Sequence, residues 1–232
     1  MAKQVDIIAL GELLIDFTEA GQSKDGRRLF EQNPGGAPAN LLAAAAKFGR
    51  KTAFIGKVGK DMHGDFLKET LIRAGINTDN LIQDEKYFTT LAFVSLKENG
   101  EREFAFARKP GADTNLCMKE IDPEILENTR VFHVGSLSLT DDPSRTATYE
   151  AINIARNSGA VISYDPNYRA ALWSDPETAQ LRMQSLIPYV DMMKISDEET
   201  SLLTPYQDPE EAIQYLLRQG VHLVAVTLGR DG

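Results

Sequence analysis

The chain has 232 residues, 25 basic and 34 acidic side chains, a formal net charge of −9 and 42% hydrophobic residues. That length buries a sizeable core in one large domain without crosslinks, the single Cys117 excludes an internal disulfide, and the acidic balance argues against a nucleic-acid or anionic-membrane surface. No apolar run approaches the ~20 residues of a membrane-spanning helix, and residues 1–6 lack the apolar stretch of a secretory leader, so the expectation is a cytoplasmic protein.

Val5-Asp6-Ile7-Ile8-Ala9-Leu10 reads as a buried strand ending at Gly11. Residues 12–33 lose that apolar density and read as strands or loops at an edge. Gly35-Gly36-Ala37-Pro38-Ala39-Asn40 follows and runs without a break into Leu41-Leu42-Ala43-Ala44-Ala45-Ala46. Two adjacent glycines leave the backbone bare and free to adopt positive φ, and the proline suits an early helical position. The alanine-rich helix is apolar nearly all round, which predicts deep burial. A bare backbone at the mouth of a helix is suited to hydrogen-bonding a hydroxyl or an anion.

Residues 52–58 read as a second core strand and residues 65–74 as a helix stopped by Gly75. Leu91-Ala92-Phe93-Val94-Ser95-Leu96 and Glu103-Phe104-Ala105-Phe106-Ala107-Arg108 flank Glu98-Asn99-Gly100-Glu101. Asn-Gly between two strand-like runs predicts a hairpin, here a small β appendage. From Val131 onward strands (131–134, 160–164, 191–195, 222–228) alternate with helices (144–157, 176–187, 209–219). That order predicts an α/β fold with a mostly parallel sheet covered on both faces, whose ligands bind outside the carboxyl ends of the strands.

Several familiar constellations are absent from the sequence: a phosphate-binding G-x-x-x-x-G-K-[ST] loop, a G-x-G-x-x-G fingerprint after the first strand, and a G-x-S-x-G elbow. His63, His133 and His222 are scattered without metal spacing. Polar groups at strand ends remain. Asp16 could accept hydrogen bonds from vicinal hydroxyls, although a surface loop carboxylate is the commoner reading. Asn40 offers a donor and an acceptor beside the Gly-Gly turn, or caps the helix start. Arg108 could fork onto a hydroxyl or carboxylate, or lie solvated on an edge strand. Phe104 and Phe106 share a face at period two and read first as packing residues. Asn167 and Arg169 sit just past a buried strand. Lys194 ends a strand, and Glu199 lies in the helix after it, near where magnesium waters could be held or where a helix dipole favours an acid. Thr227 and Gly229 end the last strand, where a nucleotide could lie against exposed backbone.

Together the motifs resemble the ribokinase-like, or PfkB, carbohydrate kinases, and within them the fructokinases. The resemblance covers essentially the whole chain. Its most specific part is the Gly35-to-Asn40 turn with Gly49 and Val58-Gly59-Lys60-Asp61-Met62-His63-Gly64. Gly11-Glu12-Leu13-Leu14-Ile15-Asp16-Phe17 is similar to the family's first strand and sugar-binding Asp. Arg108-Lys109-Pro110-Gly111-Ala112-Asp113, Asp165-Pro166-Asn167-Tyr168-Arg169 and Lys194-Ile195-Ser196-Asp197-Glu198-Glu199 match in order and spacing.

The resemblance implies a single α/β/α domain, Rossmann-like, over residues 1–232, with a β-sheet lid from about 12–34 and 87–113. It implies transfer of the γ-phosphoryl of ATP to a sugar hydroxyl with Mg²⁺ and often K⁺ assisting. Asp16, Gly35, Gly36, Asn40 and Asn167 would hold the sugar, with Phe106 and Arg108 reaching in from the lid. Arg169 would support transfer. Lys194, Ser196, Glu199, Thr227 and Gly229 would bind the nucleotide, Ser196 standing where the family more often has Asn, and Glu199 would reach the metal through water. A homodimer joined through the lids would bury the Phe104 and Phe106 face. The family's Gly-Ala-Gly-Asp signature, which carries the catalytic base, does not occur in these 232 residues. The expectation is that it lies beyond Gly232 and that the chain is part of a longer kinase, inactive alone. Fructose is the expected sugar, 2-keto-3-deoxygluconate or ribose the alternatives, and a non-catalytic sugar-binding relative the reading from another class.

Overall fold

The computed structural model describes residues 3–96 and 102–232. Eleven strands form two sheets: β1 (Val5–Leu10), β2 (Leu14–Gln22), β3 (Arg28–Gly35), β4 (Thr52–Gly59), β5 (Ile76–Asp84), β6 (Leu91–Leu96), β7 (Arg102–Ala107), β8 (Thr129–Gly135), β9 (Val161–Asp165), β10 (Met192–Ser196) and β11 (Leu223–Thr227). The helices are α1 (Ala37–Lys47), α2 (Met62–Arg73), α3 (Pro123–Glu127), α4 (Ser144–Asn157), α5 (Pro176–Gln184), α6 (Thr200–Leu203) and α7 (Pro209–Arg218).

The main sheet has seven strands in the order β11-β10-β9-β8-β1-β4-β5, all parallel. Parallel strands covered on both faces must be apolar on both, and every residue of β4 is buried. Alternation splits the core. Ile8, Leu10, Ala53 and Ile55 pack with α4 residues such as Ala151 and Ile152 on one side, and Ala9, Phe54 and Val58 pack with Ala39 and Leu42 of α1 on the other. The chain builds β1, β4 and β5 outward in one direction and β8 to β11 in the other, so the sheet's topological switch lies between β1 and β8. Such a junction opens a crevice at the strands' carboxyl ends.

The alternating half of the chain follows the sequence reading. Residues 144–157 are α4, whose buried Ala147, Thr148, Ala151, Ile152 and Ala155 recur at helical spacing. Aspartates start four helices, Asp122 accepting the Glu124 N–H at the head of α3. Asp61 accepts from the N–H groups of His63 and Gly64, Asp175 from Thr178, and Asp208 from Glu210 and Glu211. Asp61 moves the start of α2 to Met62, ahead of the expected residue 65. One strand has no counterpart in the sequence reading, and one expectation differs from what is found. Residues 76–84 form β5 although Ile76-Asn77-Thr78-Asp79-Asn80 is largely polar, because an edge strand needs only one flank paired. Helix α1 buries one face and not its whole circumference: Leu42 is fully buried while Asn40 and Ala44 are exposed.

The second sheet has four strands in the order β3-β2-β6-β7. β2 pairs antiparallel with β3 and parallel with β6, and β6 pairs antiparallel with β7. The β6–β7 pairing is that of the expected hairpin; its turn residues Glu98 to Glu101 lie outside the described residues.

Candidate active site

Carbonyl ends of β1 and β8, the start of α1 and the inner face of the small sheet enclose a cavity of about 410 Å³. Asp16, Gly36, Asn40, Phe106, Asn167 and Arg169, drawn from four separate segments, all line it.

The floor is the Gly-Gly turn. Gly36 has φ 118° and precedes α1 as its N-cap, and a Cβ there would collide with the backbone oxygen of Glu12. Gly35 does not line the cavity; its bare Cα makes room for the Asp16 carboxylate, which a side chain at that position would strike. No side chain of the turn caps α1. Glu12 supplies the cap from the end of β1, its Oε1 accepting the Ala37 N–H at 3.0 Å. Asn40 therefore is not a helix cap, and its exposed side chain projects from the first turn of α1 at the cavity.

Asp16 lies on β2, opposite Asn33 and beside Ala92 of β6. Partial burial pushes its carboxyl above the usual carboxylate range, and the Arg169 guanidinium opposes that rise. Asn167 has φ 46°, the one described non-glycine residue in the left-handed region, a conformation asparagine tolerates better than most. Asp165 stabilises the turn: its Oδ1 accepts the Asn167 N–H at 3.1 Å, and its Oδ2 lies 3.4 Å from Lys194 Nζ. Burial raises the Asp165 carboxyl, with Lys194 working against it.

Sequence reasoning missed Glu12. It is 3% exposed, lines the cavity, and its Oε2 has no hydrogen-bond partner. Burial pushes its carboxyl up to about 7, against hydrogen bonds from its own backbone N–H and that of Ala37 and the charge of Arg108. Only its place directly after a core strand hinted at this. Leu137 and Leu172, which also line the cavity, carry no sequence signal beyond being apolar.

Two expected roles need correction. Arg108 does not line this cavity but the wall of an adjoining one. It is 5% exposed and its guanidinium is fully engaged: Nη2 lies 2.7 Å from Asp113 Oδ2, Nη1 donates to Thr140 Oγ1 at 3.0 Å, and Nη2 donates to the Leu137 carbonyl at 2.8 Å. A buried guanidinium must be paired to be tolerated, and Asp113, five residues along, is the pair. Arg108 thus braces Leu137, a wall residue. Glu199 is likewise buried and internally bonded, accepting the N–H of Tyr168 at 2.7 Å and of Ser196 at 2.8 Å. It ties the β9 and β10 loops together and, with Ser196, forms a capping box. Among the described residues, no group of three or more His, Cys, Asp or Glu side chains could hold a metal ion.

Lys194, Ser196, Glu199, Thr227 and Gly229 do not enter the cavity. Lys194 is the middle residue of β10, Ser196 and Thr227 end β10 and β11 and pair in register, and Glu199 and Gly229 follow those two strands. Gly229, with φ 59°, is exposed just past β11.

Residues 4–232 match the model of the pfkB family carbohydrate kinases. The chain is 41% identical to fructokinase-1 of Zea mays, over 97% of this chain and 71% of that one. It is 39% identical to probable fructokinase-2 of Arabidopsis thaliana, over 97% and 70%. Curated relatives are spanned over 66% to 72% of their length. Among solved structures, the fructokinase of Xylella fastidiosa superposes with a TM-score of 0.87 at 35% identity, covering 96% of this chain and 69% of that one. The fructokinase of Vibrio cholerae O395, in its fructose, ADP and calcium ion bound form, gives 0.87 at 34% identity, covering 98% and 72%. With its switch-point cavity, its parallel sheet and these matches, the chain belongs to the pfkB family of carbohydrate kinases.

Proposed function

We propose that the protein is an ATP-dependent fructokinase that phosphorylates the 6-hydroxyl of fructose. The observation that carries this reading is the convergence of Asp16, Asn40, Asn167 and Arg169 on one cavity at the topological switch, in a chain whose relatives are fructokinases. A sugar presents many donors and acceptors in a small volume. In this reading Asp16 accepts from vicinal hydroxyls, and Asn40 and Asn167 each offer one donor and one acceptor group. Arg169 balances the charge of Asp16 and faces the incoming phosphoryl group. Phosphoryl transfer rests mainly on positioning and electrostatics, which this half of the site supplies.

The small sheet serves as the lid, and Gly35 shapes the cradle by leaving room for Asp16. Lys194, Ser196, Thr227 and Gly229 line the nucleotide, with Glu199 holding Ser196 in place. Mg²⁺ would come with the nucleotide phosphates and keep most of its waters, which suits a site without a cluster of protein ligands; K⁺ is a further family expectation. The base that activates the 6-hydroxyl belongs to the Gly-Ala-Gly-Asp signature, so these 232 residues bind sugar but turn it over slowly on their own. Lids pair in a homodimer, supported by the exposed Phe30 and Phe93, which pack edge to face on the side of the small sheet opposite Phe104 and Phe106. No described helix is long and apolar enough to cross a membrane, in keeping with a cytoplasmic enzyme.

A panel of fructose, ribose and 2-keto-3-deoxygluconate in binding and ATP-coupled assays tests the substrate. Strongest response to fructose is expected; a preference for either other sugar overturns it, and sugar binding without turnover in any longer form of the protein favours a non-catalytic relative. Sedimentation as a monomer at micromolar concentration removes the dimer.

A further inference from the structure

The sugar cavity has a neighbour. A second cavity of about 730 Å³ lies against it, and Phe106 and Leu172 line both. The two differ in character. The first carries the carboxylates and amides described above, while the second offers the apolar side chains of Met62, Phe88, Leu91 and Pro110, with Asp61, His63, Arg108 and Lys109 also in its wall. Each falls in the ~300–1,000 Å³ range of small-ligand pockets. Lack of space is therefore not what bounds the sugar on this side; two side chains are.

The partition is braced from both directions. Leu172 is 6% exposed and ends the short turn Ala170–Leu172, directly after Arg169 and before the buried Trp173. Phe106 stands on β7, which packs on that turn, and its ring stacks on Phe104 with centroids 6.1 Å apart and planes within 7°. Met62 and Phe88, on the far side, are 73% and 78% exposed.

Resting on the sugar-kinase reading above, we propose that Phe106 and Leu172 are specificity-determining residues that act as a size filter. They end the cavity at one unsubstituted sugar and keep an O-linked apolar group out of the adjoining chamber. Opening the partition would place such a group against Met62 and Phe88, where burial of apolar surface favours it.

Calorimetric titration of the chain with fructose and with its 1-O-benzyl, 3-O-benzyl and benzyl β-fructofuranoside derivatives tests this. Wild type is expected to bind every benzyl derivative at least ~100-fold more weakly than fructose, and Leu172→Ala or Phe106→Ala to shift the ratio at least ~10-fold toward one or more of them. Leu172 is buried and its truncation costs stability; Phe106 is only partly buried, so Phe106→Ala keeps the test decisive if Leu172→Ala does not fold. A benzyl derivative bound by wild type within tenfold of fructose, or a wild-type ratio retained in the folded variants, overturns the filter while leaving the kinase reading intact. Failure of wild type to bind any sugar overturns the kinase reading, and the filter with it.

Discussion

Glu12 Oε1 accepts the N–H of Ala37 at 3.0 Å, so a carboxyl at the end of β1 caps a helix that starts 25 residues later. That one contact fixes the Gly35–Gly36 turn against the first strand and sets where Asn40 meets the cavity. The other oxygen, Oε2, is buried without a partner, and burial lifts the group from 4.5 to about 7.

The sign of the resulting pH dependence follows from linkage. The folded chain holds the Glu12 proton more tightly than the unfolded chain. The stability Glu12 contributes is therefore fully present below pH 4.5 and lost as pH rises through about 7. The displacement corresponds to about 3 kcal/mol. Glu12→Gln keeps the shape and an acceptor for Ala37, so the variant should gain on wild type between pH 5 and pH 8 by up to that amount in urea unfolding. A constant difference across this range would show that Glu12 does not titrate there.

Gly36→Ala and Gly49→Ala form a matched pair. Both glycines have positive φ, 118° and 75°, but a Cβ on Gly49 meets nothing within 4 Å whereas one on Gly36 meets the Glu12 backbone. Gly49→Ala should cost about 1 kcal/mol from backbone strain alone. Gly36→Ala should cost about 2 kcal/mol or more and weaken fructose binding at least ~10-fold, because the turn must move. Equal costs by chemical unfolding would contradict the packing described for the turn.

Arg108 is expected to behave as a structural residue. Removing one partner of a buried ion pair typically costs about 3–5 kcal/mol, so Arg108→Ala and Asp113→Ala should each lower stability by that order and be strongly non-additive together. The fructose affinity of the folded fraction should change less than about threefold in the milder Arg108→Lys. A large loss of affinity with unchanged stability would restore the direct sugar contact that the family resemblance suggested.

Asn167 separates backbone from side chain. Its φ of 46° suits glycine, so Asn167→Gly should stay within about 1 kcal/mol of wild type, yet bind fructose at least ~10-fold more weakly through loss of the amide. Asn167→Ala should lose on both counts. Wild-type affinity in the glycine variant would remove the Asn167 side chain from the cradle.

What the sequence revealed and what it hid have separate physical reasons. The strands and helices after Val131 were legible because each is set by local periodicity, as in the Ala147, Ala151 and Ala155 stripe of α4. The Gly-Gly-Ala-Pro-Ala-Asn turn was legible because its chemistry is contiguous. β5 escaped because its Asn- and Asp-rich start gives no period, and pairing to β4 alone makes it a strand. Glu12 escaped because its burial depends on a turn packed over it from Gly36. A fork of Arg108 onto a carboxylate was legible, but not its partners, because Asp113, Thr140 and the Leu137 carbonyl are brought to it only by the fold. Glu199 was read as facing metal waters because its two backbone partners, at Ser196 and Tyr168, come from different strand ends.

The central claim is that the switch-point cavity is a fructose cradle organised around Asp16. Isothermal titration of fructose into the wild-type chain and into Asp16→Asn tests it most directly, because the substitution keeps the volume and replaces an acceptor oxygen with an amide donor. Saturable binding to wild type, weakened ~100-fold or more in Asp16→Asn with the unfolding midpoint retained, is the predicted result. No binding to wild type, or equal affinity in the two proteins, would contradict it.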